Sequence, residues 1–336
     1  MNWKNESVLV TGGGGFLGKQ IIEALRRLDC GSIRSVGRNP QPKLEKIGVE
    51  VLCGDISDSS FILKACESRS LVFHAAALAG VWGKREDFFR INVTGTRNVA
   101  DAGRKRNVGA LVYTSSPSVV LHDGDTENAD ESVPYPEKYL APYPETKAIA
   151  ERLVLDANSA DFATVAIRPH LIWGPGDPHL LPRVVEMAGK GKLIQVGDGK
   201  NLVDMTYVDN AALAHIAAAE TLRNSQKANG RAYFISDGNP VVLWDWINNL
   251  LKRLDIPPVD KKISYRSAYV AGALIELLYK LPFSGEPPMT RFVAGQLAHS
   301  HYFNISAARN DLGYNPGISH EDALEKTLEW LREKQG

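Results

Sequence analysis

Short apolar runs alternate with amphipathic runs along the first half of the chain. Six of the apolar runs have the length and composition of buried strands: SVLVTG, IRSVGR, VEVLCGDI, SLVFHAAA, ALVYTSS and ATVAIRP. Helix-like runs such as GKQIIEALRRL and PETKAIAERLVLDAN lie between them. Because strands that alternate with helices pack as a parallel sheet covered on both faces, the pattern predicts an α/β fold with a doubly wound parallel sheet.

Beyond Pro169 the pattern changes. A turn-rich loop, WGPGDPHLLP, is followed by short strands mixed with helices, and the C-terminal part is helical with a Pro-containing break, FSGEPPMTRF. We therefore predict a first domain over residues 1–173, to which the chain returns at about 205–235. A smaller, mostly helical second region is predicted over residues 174–204 and 236–336.

Charge and cysteine content exclude several classes of protein. The 39 Lys and Arg residues balance 39 Asp and Glu residues, and a net charge of +0 gives no electrostatic reason to bind nucleic acid. The 3 cysteines form no CxxC pair, so neither a disulfide framework nor a zinc site is predicted, and a reducing cytosol fits best. The polar N-terminal residues lead into a strand and do not have the pattern of a signal peptide.

The most apolar helical segment, AYVAGALIELLYKLPF, spans residues 268–283. It is shorter than the ~20 apolar residues that cross a bilayer, and it carries Glu276 and Lys280. We therefore expect a core or lid helix in a cytoplasmic protein. The segment also permits peripheral contact with a membrane.

The stretch VLVTGGGGFLGKQII leads from a predicted strand into a predicted helix and contains Gly12, Gly15 and Gly18 in the spacing GxxGxxG. Glycines let the backbone turn tightly and approach a pyrophosphate, which then lies at the helix N-terminus together with Phe16 and Leu17. A plain glycine-rich turn is the alternative. The strand–turn–helix context favours a Rossmann-type dinucleotide site in residues 1–173.

The ends of the second and third strands indicate which dinucleotide binds. Gly37 stands where an acidic residue would bind the ribose of NAD, and Arg38 follows it, so NADP(H) is predicted over NAD(H). A surface arginine is the alternative. After the third strand, Asp55 is predicted to accept from the adenine amino group and Ile56 to contact the ring; Asp55 as a helix cap is an equal alternative.

Two later strand ends complete the predicted cofactor site. Ala75 and Ala76 are small enough for the backbone to approach the nicotinamide ribose, and Pro169 is placed to lie near the carboxamide. His170 and His179 have no carboxylate or cysteine at ligand spacing, so no metal site is predicted.

A tyrosine and a lysine four residues apart, Tyr143 and Lys147, open the helix after the fifth strand. Residues at this spacing share a helix face, and the ammonium lowers the pKa of the phenol, which can then serve as a proton donor to a ketone being reduced. Lys147 would also hold the nicotinamide ribose. Ser116 is predicted to orient the carbonyl oxygen, with Ser118 as the alternative.

Together these motifs resemble the extended short-chain dehydrogenase/reductase superfamily. The resemblance rests on the glycine motif, HAAA, NVTGTRNV, TSSPSV, the YxxxK pair and RPHLIWGPGD. It implies that Asn92, in the NxxGT helix, helps to position Lys147; a buried asparagine that bonds backbone is compatible with that role. It also implies a homodimer.

Two finer resemblances narrow the substrate. RPHLIWGPGDPHLLPR is similar to the branch of 3β-hydroxysteroid dehydrogenases and sterol-4-carboxylate 3-dehydrogenases. GEPPMTRF, VGDGKNLVDMTYVDNAALAH and GRAYFISDGNPV are more similar still to the bacterial family of NADPH-dependent 2-alkyl-3-oxoalkanoate reductases of long-chain olefin biosynthesis. The latter implies reduction of a long-chain 2-alkyl-3-keto acid and an assembly with other enzymes of olefin synthesis.

Other substrates and roles remain as alternatives. One is oxidation of a 3β-hydroxysteroid or 4-carboxysterol, and another is a cofactor-binding scaffold or sensor without turnover. A nucleotide sugar is disfavoured, because Val203 and Asp204 stand where sugar-nucleotide epimerases of the superfamily carry a basic residue.

A greasy substrate needs an apolar pocket, which the second region is expected to provide. The candidates are Ser118, Trp82, His170, Trp173, His179, Met289 and Phe292. Core packing or helix capping is an alternative for each residue. Arg291 is a further candidate, for a substrate carboxylate.

Overall fold

The computed structural model describes residues 1–279, 285 and 287–335. Lys280 with the end of the apolar segment, and part of FSGEPPMTRF, lie outside the described residues.

A parallel sheet of seven strands forms the centre of the described chain. Numbered in chain order, its strands are β1 (Ser7–Thr11), β2 (Ser32–Gly37), β3 (Glu50–Cys53), β4 (Leu71–His74), β5 (Ala110–Thr114), β7 (Ala163–Pro169) and β12 (Arg231–Ile235). Across the sheet the order is β3, β2, β1, β4, β5, β7, β12, and each neighbouring pair is parallel. The chain starts in the middle and winds outwards in both directions, which confirms the predicted doubly wound α/β fold.

Helices cover both faces of this sheet. The α-helices of the described chain are α1 (Phe16–Arg27), α2 (Pro42–Glu45), α3 (Ser59–Ala65), α4 (Arg85–Phe88), α5 (Gly95–Lys105), α6 (Pro142–Asp156), α7 (Leu180–Gly189), α8 (Val208–Asn224), α9 (Leu243–Arg253), α10 (Tyr265–Tyr279), α11 (Arg291–Ala298), α12 (Ser306–Leu312) and α13 (His320–Gln335). Short helical turns add 3₁₀ segments at Trp3–Asn5 and Pro117–Val119 and a π-helical segment at Phe89–Thr94. One sheet face packs against α1, α8 and α12, and the other packs against α3, α5 and α6.

Strand residues alternate between the two hydrophobic cores on either side of the sheet. Val8 and Val10 belong to the core shared with α1 and α8, whereas Leu9 belongs to the core shared with α3, α5 and α6. All three side chains are fully buried. Because both faces are covered, β1 is a continuous apolar run, as is usual in parallel sheets.

Short strands build smaller sheets in the described chain. A sheet of four strands contains β6 (Thr126–Ala129), β10 (Leu202–Val203), β13 (Val241–Val242) and β15 (His301–Phe303), in the order β13, β10, β15, β6. Two-stranded pairs join β8 (Ile172–Trp173) to β11 (Thr206–Tyr207) and β9 (Gln195–Val196) to β14 (Lys262–Ile263).

The proposed division of the chain at residue 173 has exceptions in space. Strand β12 pairs with β7, as expected of a chain that returns to the first domain. However, β6 precedes residue 173 and pairs with β15, and α12 follows residue 236 and packs in the core of the large sheet. The division therefore remains a proposal, in which β6 packs with the second region and α12 packs with the first.

Helix α10 has a buried edge and an exposed apolar face. A Cβ on Gly272 would meet the backbone nitrogen of Arg291 at 2.8 Å, so α10 and the start of α11 are in close contact. Four apolar side chains of α10, called here the α10 face, are 57–63% exposed: Val270, Leu274, Leu277 and Leu278. Within residues 1–279, 285 and 287–335, no helix has the length and apolar character to cross a bilayer.

Candidate active site

The glycine-rich turn between β1 and α1 has a backbone conformation that favours glycine. Gly12 has φ +73°, and a Cβ there would meet the backbone nitrogen of Ala76 at 2.8 Å. Gly15 is the N-cap of α1, and a Cβ on Gly18 would overlap the carbonyl oxygen of Gly12. The turn is a tight backbone cradle at a helix N-terminus, and it fits the pyrophosphate of a dinucleotide.

Phe16 and Leu17 occupy the first turn of α1, whose backbone N–H groups have no acceptor within the helix. The side chain of Leu17 packs into the core of the large sheet, whereas Phe16 is half-buried and lies beside Gly176. Leu17 can therefore meet a cofactor only through its backbone, and Phe16 can also do so through its ring.

The end of β2 presents an arginine and an amide but no acid. Arg38 is exposed, and among the described residues no hydrogen bond or ion pair engages its guanidinium. A Cβ on Gly37 would meet the amide nitrogen of Gln41 at 2.5 Å, and Ser35 donates to the amide oxygen of Gln41 at 2.6 Å. Gln41 had no predicted role, because nothing in its spacing marks it. The site thus offers donors at the place where a 2′-phosphate would lie.

Asp55, at the end of β3, is engaged by its neighbours and does not cap a helix. Its carboxylate accepts from the backbone and the hydroxyl of Ser57 and pairs with Arg90 at 2.7 Å. Burial opposes ionisation, but these partners lower the pKa of Asp55 below its ordinary value. Asp58 caps α3, so the capping alternative belongs to that residue. Ile56 is buried against α5.

The residues after β4 lie against the glycine turn. The backbone nitrogen of Ala75 donates to the Thr11 carbonyl at 3.2 Å, and that of Ala76 donates to the Thr11 hydroxyl at 3.3 Å. His74, which had no predicted role, bridges the hydroxyls of Thr11 and Thr96 through its two ring nitrogens. Burial, together with a nearby lysine charge, lowers the pKa of His74 to about 3, so the ring is neutral.

Tyr143 and Lys147 lie one turn apart at the start of α6, which begins with a proline at its first position. Lys147 is buried; its ammonium donates to the carbonyl of Thr114 at 2.5 Å and lies 4.2 Å from the ring centre of Tyr113. Burial lowers the pKa of Lys147 to about 7, and Glu151 opposes the shift. The cation is thus held under the end of β5.

The hydroxyls of Ser116 and Ser118 are hydrogen-bonded to each other near the start of α6. Ser118 donates to the Ser116 oxygen at 2.9 Å, and Ser116 caps the 3₁₀ turn that contains Ser118. Burial raises the pKa of Tyr143, and the hydroxyl of Ser116 partly offsets that rise. The hydroxyl of Ser115 is buried without a partner among the described residues. Ser116 is thus the serine that acts on the pKa of the phenol, and Ser118 is its hydrogen-bond partner.

Asn92 lies in the π-helical segment and connects two other elements. Its amide oxygen accepts from the backbone nitrogen of Leu78 at 2.7 Å, and its amide nitrogen donates to the Leu78 carbonyl and to the Thr146 hydroxyl. Because Thr146 precedes Lys147 on α6, Asn92 touches the helix that carries the lysine and does not touch the ammonium.

A cavity of about 160 Å³ opens beside the start of α6. Its lining includes Ser118 and Pro144 from the side of the tyrosine, and Phe292, Gln296 and His301 from α11 and β15. Three predicted residues, Ser118, Arg291 and Phe292, therefore meet at one cavity, and the sequence pattern missed Gln296 and His301.

The residues after β7 are buried away from this cavity lining. Pro169 ends β7 and is buried. Trp173 is fully buried and stacks edge-on against Trp246 in the core of α7, α9 and α13, so it is a core residue rather than a pocket residue. His170 is buried behind His301 and does not line the cavity itself. Its ring nitrogens face Asp204 and His301.

The remaining pocket candidates lie at the edge of α10 and α11. Trp82 is half-buried and packs edge-on against Tyr279, and Met289 packs against the small core near α11. The guanidinium of Arg291 lines the cavity but is held by Glu276 through two hydrogen-bonding nitrogens at 2.9 and 2.7 Å. The backbone nitrogen of His179 donates to Asp177 at the start of α7, which places His179 at a helix cap.

Comparison with known proteins adds a family and relatives. The model of the 3-beta hydroxysteroid dehydrogenase/isomerase family matches residues 9–265. A 2-alkyl-3-oxoalkanoate reductase of Stenotrophomonas maltophilia is 47% identical over 324 residues, which cover 95% of this chain and 97% of that protein. A decarboxylating sterol-4-alpha-carboxylate 3-dehydrogenase of Mus musculus is 34% identical over 97% of this chain and 91% of its own length.

A solved structure shows the same fold. The double mutant of DesIV, a dTDP-glucose 4,6-dehydratase of Streptomyces venezuelae with NAD bound, superposes with a TM-score of 0.77 and covers 98% of both chains. At 20% sequence identity this likeness concerns the fold alone.

Proposed function

The chain belongs to the 3-beta hydroxysteroid dehydrogenase/isomerase family and is an NAD(P)-dependent oxidoreductase, and on that premise we propose that it reduces a long-chain 2-alkyl-3-oxoalkanoate to the 3-hydroxy acid with NADPH. The observation that carries the proposal is a cavity beside the start of α6, which Ser118 and Pro144 line on the side of Tyr143 and Phe292 lines from α11. The relative with 47% identity is named for this reaction.

Ser116, Tyr143 and Lys147 each have a different role in the proposed ketone reduction. Bound NADPH would supply the hydride that adds to the carbonyl carbon. Ser116 donates a hydrogen bond to the carbonyl oxygen and so stabilises the charge that develops there. Tyr143 then gives its phenolic proton to the same oxygen, which becomes the hydroxyl. Lys147, one turn away, stabilises the resulting phenolate and lowers the cost of the proton transfer.

The choice of NADPH rests on the end of β2. Arg38 can pair with a 2′-phosphate, and position 37 holds a glycine in place of an acidic residue that would repel that phosphate. Gln41 supplies a second donor close to the same point. A dehydratase with this fold binds NAD, which agrees with a dinucleotide in the glycine cradle. The preference of this chain between NAD(H) and NADP(H) then depends on Arg38 and Gln41.

Oxidation of a sterol carboxylate is the second candidate function. The murine relative at 34% identity is named for it, and both substrates combine a large apolar body with a carboxylate near the reacting carbon. The two candidates predict opposite physiological directions. The missing acid after β2 favours reduction with NADPH.

A direct assay tests the proposal. The purified protein is incubated with a synthetic long-chain 2-alkyl-3-keto acid and either NADPH or NADH, and loss of reduced-cofactor absorbance is followed. We expect turnover with a clear preference for NADPH. Steroid or sterol oxidation with NAD, in the absence of keto acid reduction, would overturn the assignment and favour the second candidate.

Tyr143→Phe tests the mechanism in the same assay. Because a general acid contributes about 10²–10⁴-fold, we expect a loss of that size in kcat with little change in the affinity for NADPH. Tyr314→Phe is the control, since it removes the hydrogen bond of a buried tyrosine to Ser236, outside the cavity lining. If Tyr143→Phe keeps most of the activity, the phenol is not the proton donor.

We also propose that the α10 face contacts an anionic lipid surface from which an apolar substrate is taken up. Exposed basic residues lie near the start of α10: Lys192, Lys261, Lys262 and Arg266. The ammonium of Lys261 donates to the Gly191 carbonyl, which brings the two groups of lysines together, and exposed Asp260 offsets one charge. Basic residues beside an apolar helix face suit anionic headgroups, at about 1 kcal/mol each.

Vesicle sedimentation tests this contact. We expect the protein to sediment with phosphatidylglycerol vesicles more than with phosphatidylcholine vesicles, and salt to reduce the binding. Leu274→Ser combined with Leu277→Ser should abolish it without changing turnover of a dispersed substrate. If the double variant instead abolishes a dimer and the parent protein ignores both vesicles, a second copy of the chain covers this face.

A further inference from the structure

Three buried titratable side chains form a continuous hydrogen-bonded chain behind the cavity wall. Nδ1 of His170 lies 2.5 Å from Asp204, and Nε2 of His170 lies 3.1 Å from Nδ1 of His301. Nε2 of His301 lies 2.9 Å from the carbonyl oxygen of Gln296. The three residues are each at most 4% exposed. They join the end of β7, the segment after β10, β15 and α11.

The carbonyl oxygen of Gln296, the last acceptor of the hydrogen-bonded series, determines which ring nitrogens carry protons. A backbone carbonyl only accepts, so Nε2 of His301 must carry a hydrogen toward Gln296. Burial, followed by the neighbouring His170, lowers the pKa of His301 to about 3, so its other nitrogen is an unprotonated acceptor. Nε2 of His170 must then donate to it, and the link between His170 and Asp204 needs one more proton.

That remaining proton belongs on His170. The second carboxylate oxygen of Asp204 accepts from the backbone nitrogen of Phe303 at 3.0 Å, which stabilises the ionised form. The ring of His170 also packs edge-on against that of Phe303. The other titratable neighbours are Asp237, which faces Asp204, and His299, which faces His301. The described residues contain no metal-binding group of three or more His, Cys, Asp or Glu, and here the ring nitrogens face one another.

We propose that Asp204 and His170 form a buried carboxylate–imidazolium pair that locks His301 as its Nε2–H tautomer and thereby positions the cavity wall made by His301 and Gln296. These three are positioning residues; none is assigned contact with the reacting atoms. Because α11 also supplies Phe292 to the cavity, the lock controls how well the substrate fits. The effect on substrate affinity rests on the proposed keto acid reduction, whereas the protonation pattern does not.

Nitrogen NMR of the ¹⁵N-histidine-labelled full-length protein tests the protonation pattern without any substrate. At about pH 8, above the ordinary histidine pKa of ~6.5, we expect one of the 8 histidines to show two protonated ring nitrogens. His170→Gln should remove that signal, and His301→Gln should remove a neutral Nε2–H signal. Eight neutral histidines at this pH would overturn the proposal.

Kinetics of His170→Phe test the positioning role. Phenylalanine is close in size to histidine but has no donor, so Nδ1 of His301 loses the hydrogen bond that fixes its tautomer. We expect KM for the keto acid to rise about 5–10-fold, the worth of one hydrogen bond, while KM for NADPH should not change. Asp204→Asn is the comparison, because its amide oxygen can accept from the Phe303 nitrogen while its amide nitrogen donates to Nδ1 of a neutral His170. That variant should lose the NMR signal of the doubly protonated ring and keep the KM of the parent protein.

Asp237→Asn is the matched control, because Asp237 is also a buried carboxylate that accepts from a backbone nitrogen, that of Tyr207, but it has no histidine partner. It should reduce stability without raising KM for the keto acid. An equal rise in KM in Asp237→Asn and His170→Phe would mean that the hydrogen-bonded side chains act only through packing. Absence of turnover with every keto acid would refute the proposed function and leave the NMR result standing.

Discussion

Two arginine–glutamate pairs hold the two halves of the candidate site, and they differ in burial. Arg168 on β7 binds Glu151 on α6 through two nitrogens, at 2.8 and 2.6 Å. Arg291 on α11 binds Glu276 on α10 through two nitrogens, at 2.9 and 2.7 Å. The first pair is almost completely buried, whereas the guanidinium side chain of Arg291 is 35% exposed.

The difference in burial gives the two halves different stiffness. Removing one partner of a buried pair costs about 3–5 kcal/mol, because a charge is left uncompensated, while an exposed pair is worth about 0–1 kcal/mol. Separating the helix that carries Tyr143 and Lys147 from the sheet would therefore cost much free energy. The contact of α10 with α11 depends on a pair whose arginine is partly exposed.

Glu151→Gln should have the largest effect on stability, because it breaks the pair that joins α6 to β7 in the more rigid half of the site. It leaves the guanidinium of Arg168 buried without its counter-charge, so we expect the free energy of unfolding to fall by about 3–5 kcal/mol in urea denaturation. Glu186→Gln removes an exposed carboxylate paired with Lys190 and should change stability by less than about 1 kcal/mol. Equal losses in the two variants would remove the basis of the comparison.

The buried charge of Lys147 sets a pH limit on the rigid half. With a pKa of about 7, the ammonium loses its proton as pH rises through 7, so kcat should decline above that pH. Lys147→Met should be slower by about 10²-fold and lack this decline. A kcat that is flat from about pH 6 to 9 in the parent protein would contradict the assignment.

The same lysine should lower stability at acid and neutral pH. Its ordinary pKa is 10.5, so the folded protein binds fewer protons than the unfolded chain between about pH 7 and 10.5. The contribution of Lys147 to stability therefore improves as pH rises through that window, and the cost is complete below it. Thermal melts at about pH 6 should show Lys147→Met to be more stable than the parent protein.

Arg38→Ala should change cofactor choice and leave both halves of the substrate site intact. Charge-assisted hydrogen bonds contribute about 1.5–3 kcal/mol, so KM for NADPH should rise about 10–100-fold while KM for NADH stays the same. Arg104→Ala, an exposed arginine at the end of α5, serves as the control. If NADH and NADPH are affected alike, Arg38 does not recognise the 2′-phosphate.

Glu276→Gln should have a smaller effect on stability than Glu151→Gln and would sharpen the comparison. Glu276 is itself buried, but the Arg291 side chain is 35% exposed and can be solvated when the pair is lost, so the free energy of unfolding should fall by about 1–2 kcal/mol. Because the pair joins α10 to α11, KM for the keto acid should rise about two- to fivefold, with KM for NADPH unchanged. A stability loss as large as that of Glu151→Gln would make the two halves equally rigid.

The sequence predicted the large sheet because its signals are local. Apolar runs, strand ends and a helical spacing of four place the glycine turn, Tyr143 and Lys147 without knowledge of distant residues. The sequence could not separate Ser116 from Ser118, since they lie two residues apart at one short 3₁₀ turn and their hydroxyls bond to each other. The capping role weighed for Asp55 belongs to Asp58, whereas the contact of Asp55 with adenine stays a prediction.

The cavity wall could not be predicted from the sequence because its contacts are distant in the chain. His301 meets His170 across 131 residues, and nothing in the local pattern of either histidine announces the other. For Trp173 the sequence left pocket and core as alternatives, because an aromatic residue at the end of a strand has the same pattern in both. Burial against Trp246, itself far along the chain, separates the two.

The pairing of β6 with β15 also dictates when the cavity forms during synthesis. Asp125, just before β6, accepts from the backbone nitrogen of Ser300, 175 residues later, just before β15. At about 5–20 residues per second, a ribosome needs roughly 9–35 s to make the chain between them. The glycine turn, Tyr143 and Lys147 leave the ribosome well before β15, so the nascent chain has its reactive groups before it has a cavity to hold a substrate.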